Sequence, residues 1–109
     1  MVVRFYRTAS GASPVERYLF GLESRERALV FEAIDAVERY GLDSSHVTMR
    51  QLDGRLWELK ISAQRVLYVT VNGPVVVLLH GYRKQGQKAP LRELEVARKR
   101  MKEVLQYEA

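Results

Sequence analysis

The chain has 109 residues, ten aromatics, no cysteine and a net charge of +5, which fits one globular domain and excludes a disulfide scaffold or a thiolate nucleophile. No apolar run approaches the roughly 18–20 residues that cross a membrane. The N-terminus alternates apolar and cationic residues without a signal-peptide core, so the expectation is a small soluble domain working in the cytoplasm.

Val2 to Arg7 reads as a first strand from its β-branched and aromatic content. Ser13-Pro14-Val15-Glu16 then signals a helix start: Ser13 as cap, Pro14 at the first helical position, Glu16 closing a capping box. A second helix is predicted over Ser24 to Tyr40, with Val30, Ala33, Ile34 and Val37 as its apolar stripe and Gly41 as its stop. The two would form a helical hairpin lying on a sheet. Arg55 to Ile61 alternates as a strand, with Trp57, Leu59 and Ile61 on one face and Leu56, Glu58 and Lys60 on the other. Arg65 to Val71 follows, Asn72-Gly73 marks a hairpin turn, and Val75 to Tyr82 is apolar enough to be the central strand. Pro90 opens a last helix with Leu94, Ala97, Met101 and Val104 or Leu105 buried, and Glu95 and Lys99 spaced as an i,i+4 ion pair. The order is β-α-α-β-β-β-α: an α+β domain over residues 1–109 with a small, mainly antiparallel sheet.

Charge is unevenly placed. Residues 1–49 carry six Lys/Arg against seven Asp/Glu, whereas residues 50–109 carry twelve against six. From Leu59 to Arg92 there is no acidic residue, while Lys60, Arg65, Arg83, Lys84, Lys88 and Arg92 are spaced along that run. Cations concentrated on strands suit a polyanion such as RNA, although a solvated basic surface has the same composition.

His46 and His80 lie far apart without metal-ligand spacing, and no Gly-x-Ser-x-Gly elbow or phosphate-cradling glycine loop occurs, so neither metal nor cofactor is expected. His80, Tyr82 and Lys84 share strand parity and would project from one face. With cations beside them they suit metal-independent RNA cleavage, which needs a base for the 2′-hydroxyl, positive charge on the phosphate and an acid for the leaving oxygen. Crowding of cations favours a neutral lysine amine, the form a lysine base needs. The alternatives are structural: His80 as a core histidine, Tyr82 as a packing aromatic, Lys60 as the wet side of an amphipathic strand. Pairing of Ile61 with Arg65 would put Lys60 and Arg65 on opposite faces. A longer or bulged link pairing Lys60 with Arg65 would put them on one.

Leu52-Asp53-Gly54-Arg55-Leu56-Trp57-Glu58-Leu59-Lys60, Arg65-Val66-Leu67-Tyr68 and Leu78-Leu79-His80-Gly81-Tyr82-Arg83-Lys84, with Lys88 and Pro90, resemble the phage-derived HigB-like toxins of the RelE/ParE superfamily. The resemblance is strongest over residues 50–100. It implies a RelE-like fold and a toxin that cuts mRNA in the ribosomal A site, without metal, leaving a cyclic phosphate. It also implies a tight antitoxin partner, often a helix-turn-helix repressor. Carried over by position, the catalytic set is Lys60, Arg65, His80 and Lys84, with Tyr82, Arg83 and Lys88 as RNA contacts. Arg65 and Lys84 would hold the scissile phosphate, and Lys60 and His80 would be candidates for proton transfer. Three positions depart from the family pattern: Gln85 replaces the second lysine of a Lys-Lys pair, Tyr82 stands for phenylalanine, and Ala89 replaces a capping threonine, a loss of about 1 kcal/mol.

Overall fold

Alternation along five strands divides a single sheet into two apolar faces, and each face is covered by helices from one end of the chain. The computed structural model describes residues 1–107. The elements are β1 (Val2–Phe5), α1 (Pro14–Phe20), α2 (Ser24–Tyr40), β2 (Thr48–Asp53), β3 (Leu56–Ile61), β4 (Gln64–Val71), β5 (Val75–Arg83) and α3 (Leu91–Gln106). Sheet order is β1-β5-β4-β3-β2; β1 runs parallel to β5 and the other pairs are antiparallel.

The α+β architecture is the expected one, with one strand more than the sequence pattern reveals. β2 was missed because it is an edge strand with only Met49 and Leu52 half-buried, and those two pack on opposite faces of the sheet. A register shift between Gln51 and Asp53 removes what alternation remained. The most interior strand is β4, not β5, since β1 closes the sheet beyond β5.

Local signals explain the helices. Ser13 Oγ accepts from Glu16 N at 3.4 Å and Pro14 opens α1, but Glu16 pairs with Arg7 rather than completing a capping box. Gly41 ends α2 at φ +81°, with its N–H donating to Val37 O. Pro90, not Ala89, occupies the cap position of α3; Ala89 instead packs on the core beneath that helix. Glu95 and Lys99 form no ion pair among the described residues.

One face buries Val15 and Leu19 of α1 and Val30, Ile34 and Val37 of α2 against Leu59, Val66, Tyr68, Val76 and Leu78. The other buries Ala97 of α3 with Leu56, Leu67, Val69, Val77, Leu79 and Tyr82. On the hairpin side Gly81 lets α1 approach β5 closely: a Cβ there would lie 2.8 Å from Tyr18 Cδ2. The Tyr18 ring cannot swing away freely because its hydroxyl donates to Gln64 Oε1. Gly81→Ala is therefore expected to cost about 1–3 kcal/mol through overpacking, measurable by urea unfolding.

Buried phenols give the fold an alkaline limit. Burial holds Tyr68 protonated up to about pH 12 and raises Tyr18 and Tyr82 above their ordinary value of 10.0. Between pH 10 and these folded values the unfolded chain releases protons that the folded chain keeps, so stability falls as pH rises through that window. Tyr68→Phe should flatten the loss with little change at neutral pH, since among the described residues its hydroxyl donates only to Met49 Sδ, at 3.3 Å. Urea unfolding across that pH range checks both.

Candidate functional site

The β3–β4 hairpin decides which side chains meet. Ile61 pairs with Gln64 and Lys60 with Arg65 across a two-residue turn, Ser62-Ala63, with Ser62 at φ +55°. The register that unites Lys60 and Arg65 thus comes from a tighter link, not from a longer or bulged one. Arg65 in turn pairs with Tyr82 on β5. One row across the sheet therefore reads Thr48, Lys60, Arg65, Tyr82, and the next reads Arg50, Glu58, Leu67, His80. Both rows lie on the α3 side, because Leu67 and Tyr82 belong to that core. Lys84 N donates to Ala63 O at 2.8 Å, so pairing continues one residue past β5 and alternation puts Lys84 on the same side.

Arg65 is only 9% exposed and is held on three sides. Its Nη1 donates to Ser62 O at 2.8 Å and Gln64 O at 2.9 Å, while Nε lies 3.0 Å from Glu58 Oε1. That last contact is an ion pair without hydrogen-bond alignment, since Nε has no hydrogen-bond partner among the described residues. Nη2 makes no hydrogen bond among the described residues, so one prong of a fixed guanidinium remains for a ligand. Glu58, 1% exposed, also accepts from Arg50 Nη2 at 2.9 Å.

His80 is engaged at both ring nitrogens. Arg100 Nη1 lies 3.3 Å from Nδ1, and Glu93 Oε1 lies 2.7 Å from Nε2. A guanidinium only donates, so Nδ1 accepts and the proton sits on Nε2, directed at Glu93. Any proton route through His80 therefore runs by way of Glu93 on α3. Tyr82, 4% exposed and stacked on His80 with centroids 6.1 Å apart, packs in the core and offers no ring face to a base. Its hydroxyl has no hydrogen-bond partner among the described residues, and burial keeps it protonated, so it is available as a donor.

Arg83 stands apart. It pairs with Gln64 on the hairpin side, and its Nη1 donates to both Glu26 carboxylate oxygens at 2.8 and 3.0 Å. Gln64 Nε2 also donates to Glu26, and the hydrogen bonds from Gln64 and Arg83 hold the Glu26 carboxyl below its ordinary value. Tyr18, Gln64, Glu26 and Arg83 thus tie α1, β4, α2 and β5 together behind the site. Lys60 and Lys84 are half-buried and Lys88 is exposed; none has an ion pair among the described residues. Among those residues no group of three His, Cys, Asp or Glu side chains is arranged to hold a metal, and no helix is long and apolar enough to cross a membrane.

Sequence reasoning missed Arg50, Glu58, Glu93 and Arg100. Glu58 shares parity with buried Leu56 and borders the acid-free run, a usable signal; Arg50 lay on the unrecognised strand. The acids are what refine the charge pattern. Glu58, Glu93 and Glu26 return from outside the run to engage Arg65, His80 and Arg83, leaving Lys60, Lys84, Lys88 and Arg92 as the cations of the run with no ion pair among the described residues.

Residues 17–102 match the family model described as phage-derived protein Gp49-like (DUF891). The chain belongs to this Gp49-like family. The match runs from within α1 to within α3 and takes in every residue of the two rows and the loop carrying Lys84 and Lys88. No curated protein matches the chain.

Proposed function

We propose that this Gp49-like chain is the toxin of a type II toxin–antitoxin pair and acts as a ribosome-dependent mRNA endoribonuclease. The observation that carries the reading is the row Lys60, Arg65, Tyr82, with Lys84 beside it: lysines with no ion pair among the described residues, around a guanidinium held rigid with one prong open. A fixed cationic pocket of this kind stabilises charge developing on a phosphodiester without reorganising. The resemblance to HigB-like toxins of the RelE/ParE superfamily supplies the substrate class and the ribosome as partner.

In this reading Arg65 Nη2 and Lys84 hold the scissile phosphate. A base takes the 2′-hydroxyl proton, the 2′-oxygen bonds to phosphorus, and the 5′-oxygen leaves with a proton, giving a cyclic phosphate. Lys60 and the His80–Glu93 pair are the proton-transfer candidates, and the Tyr82 hydroxyl donates to a phosphate oxygen. Lys88 is a peripheral contact to the RNA, whereas Arg83 supports the site from behind. The cognate antitoxin, of helix-turn-helix type, would block this activity in the cytoplasm.

Expression of the chain from a repressed promoter tests the reading: growth arrest with cuts in translated mRNA is expected, and normal growth under strong expression would sink it. A ParE-like toxin acting through protein contact is the second reading. It is favoured by Phe20 and Phe31, exposed by 62% and 37% on the helical hairpin with ring centroids 6.2 Å apart. Arrest with damaged DNA and intact mRNA would select it, and salt-sensitive ribosome binding with no cleavage would mark an RNA-binding remnant.

A further inference from the structure

Arg50 belongs to no motif and sits on an edge strand, yet the buried Glu58 carboxylate joins it to Arg65. Oε2 is 2.9 Å from Arg50 Nη2 and Oε1 is 3.0 Å from Arg65 Nε, so one acid on β3 orients guanidiniums on both neighbouring strands. A nearly inaccessible carboxylate between two arginines is costly as a mere surface neutraliser, since its desolvation must be offset by both partners. The Arg50 side chain is 43% exposed, and Nη2 is its one nitrogen with a hydrogen bond among the described residues. It borders an open groove of about 410 Å³ between β2 and the start of α3, where Gln51, Gln87 and Lys88 are the other polar walls and Leu52, Ala89, Leu91 and Leu94 the apolar ones. Lys88 also has no ion pair among the described residues. Glu58 therefore links Arg65 to Arg50, and Arg50 shares the groove at the sheet edge with Lys88.

We propose that this groove is a second phosphate subsite, in which Arg50 and Lys88 hold the backbone of a single RNA strand next to the phosphate bound at Arg65. Glu58 is the positioning residue that sets the two guanidiniums in register. The proposal rests on the RNA-directed reading of the site. It makes a prediction opposite to charge counting: removing an acid beside a polyanion site should tighten binding if the acid only screens, and weaken it if the acid positions the arginines.

The test is anisotropy of a short fluorescein-labelled single-stranded RNA titrated with the full chain at several KCl concentrations. Arg50→Ala should weaken binding about tenfold and lower the salt slope by about 0.7, the value for one phosphate contact on a single strand. Arg50→Lys should restore the slope but not the affinity, because a lysine keeps the charge and loses the fork that Glu58 orients. Glu58→Gln, checked for folding by circular dichroism, should weaken binding despite the added positive charge. Arg39→Ala, which removes an exposed cation on α2, controls for net charge. Parental affinity and slope in Arg50→Ala would overturn the inference, as would tighter binding by folded Glu58→Gln. Absence of RNA binding by the parent chain would overturn the inference, whereas the nuclease reading stands or falls separately on growth arrest with cuts in translated mRNA. Weakened binding by Arg50→Ala in a chain that cuts no mRNA would leave the subsite standing and remove only the nuclease step.

Discussion

Arg65→Ala is expected to abolish growth arrest and also to lower stability by about 3–5 kcal/mol. Removal of the guanidinium leaves Glu58 1% exposed, with Arg50 as its remaining ion-pair partner, and strips a donor from the Ser62 and Gln64 carbonyls. At about 4–8 °C per kcal/mol for a small domain, the melting temperature should fall by at least about 12 °C. Loss of toxicity in this variant by itself cannot separate a missing phosphate contact from a missing fold. Arg65→Lys separates them in part: charge is kept, but an ammonium cannot reach two carbonyls and a carboxylate while still presenting a free donor. A thermal melt beside a growth assay checks the expectation, and an unshifted melt for Arg65→Ala would mean that the buried pair does not stabilise the fold.

Lys84→Ala is the complementary case. Lys84 has no ion pair among the described residues, and its structural contribution is the backbone bond from its N–H to Ala63, which alanine retains. Stability should stay within about 0.5 kcal/mol of the parent, while mRNA cleavage on ribosomes should fall by about 10²–10³, the usual loss when one preorganised charge is removed from a transition state. Primer extension on a translated message, with a urea unfolding curve for the same preparation, reads both quantities. Undiminished cleavage would remove Lys84 from the site, and a large loss of stability would mean its aliphatic stem carries packing that the ion-pair pattern does not reveal.

The contrast follows from how each cation is held, and strand parity could not supply that. Lys60, Arg65, Arg83, Lys84 and Lys88 look alike in a sequence free of nearby acids. In the fold they sort into a clamped and buried arginine, an arginine on the opposite face committed to Glu26, and three lysines with no ion pair among the described residues. His80 changes in kind as well. Its alternatives were core or catalysis, and the structure makes it a joint between the sheet and α3, with Arg100 and Glu93 on its two nitrogens.

Short-range chemistry was legible from the sequence. Ser13 and Pro14 set the start of α1, the apolar stripe and Gly41 set α2 at Ser24–Tyr40, and Asn72-Gly73 turned β4 into β5. These features depend on a few adjacent residues, and so does the absence of acids from Leu59 to Arg92. Tertiary structure decided what the run means. A one-residue change in the β3–β4 link would have sent Lys60 and Arg65 to opposite faces. Glu26 meets Arg83 from 57 residues away and Glu93 meets His80 from 13, separations at which no local pattern reports contact. The basic run therefore showed only where cations concentrate; the folded pairing, by neutralising some of them and fixing one guanidinium with a free prong, determined which would be available to the RNA proposed as ligand.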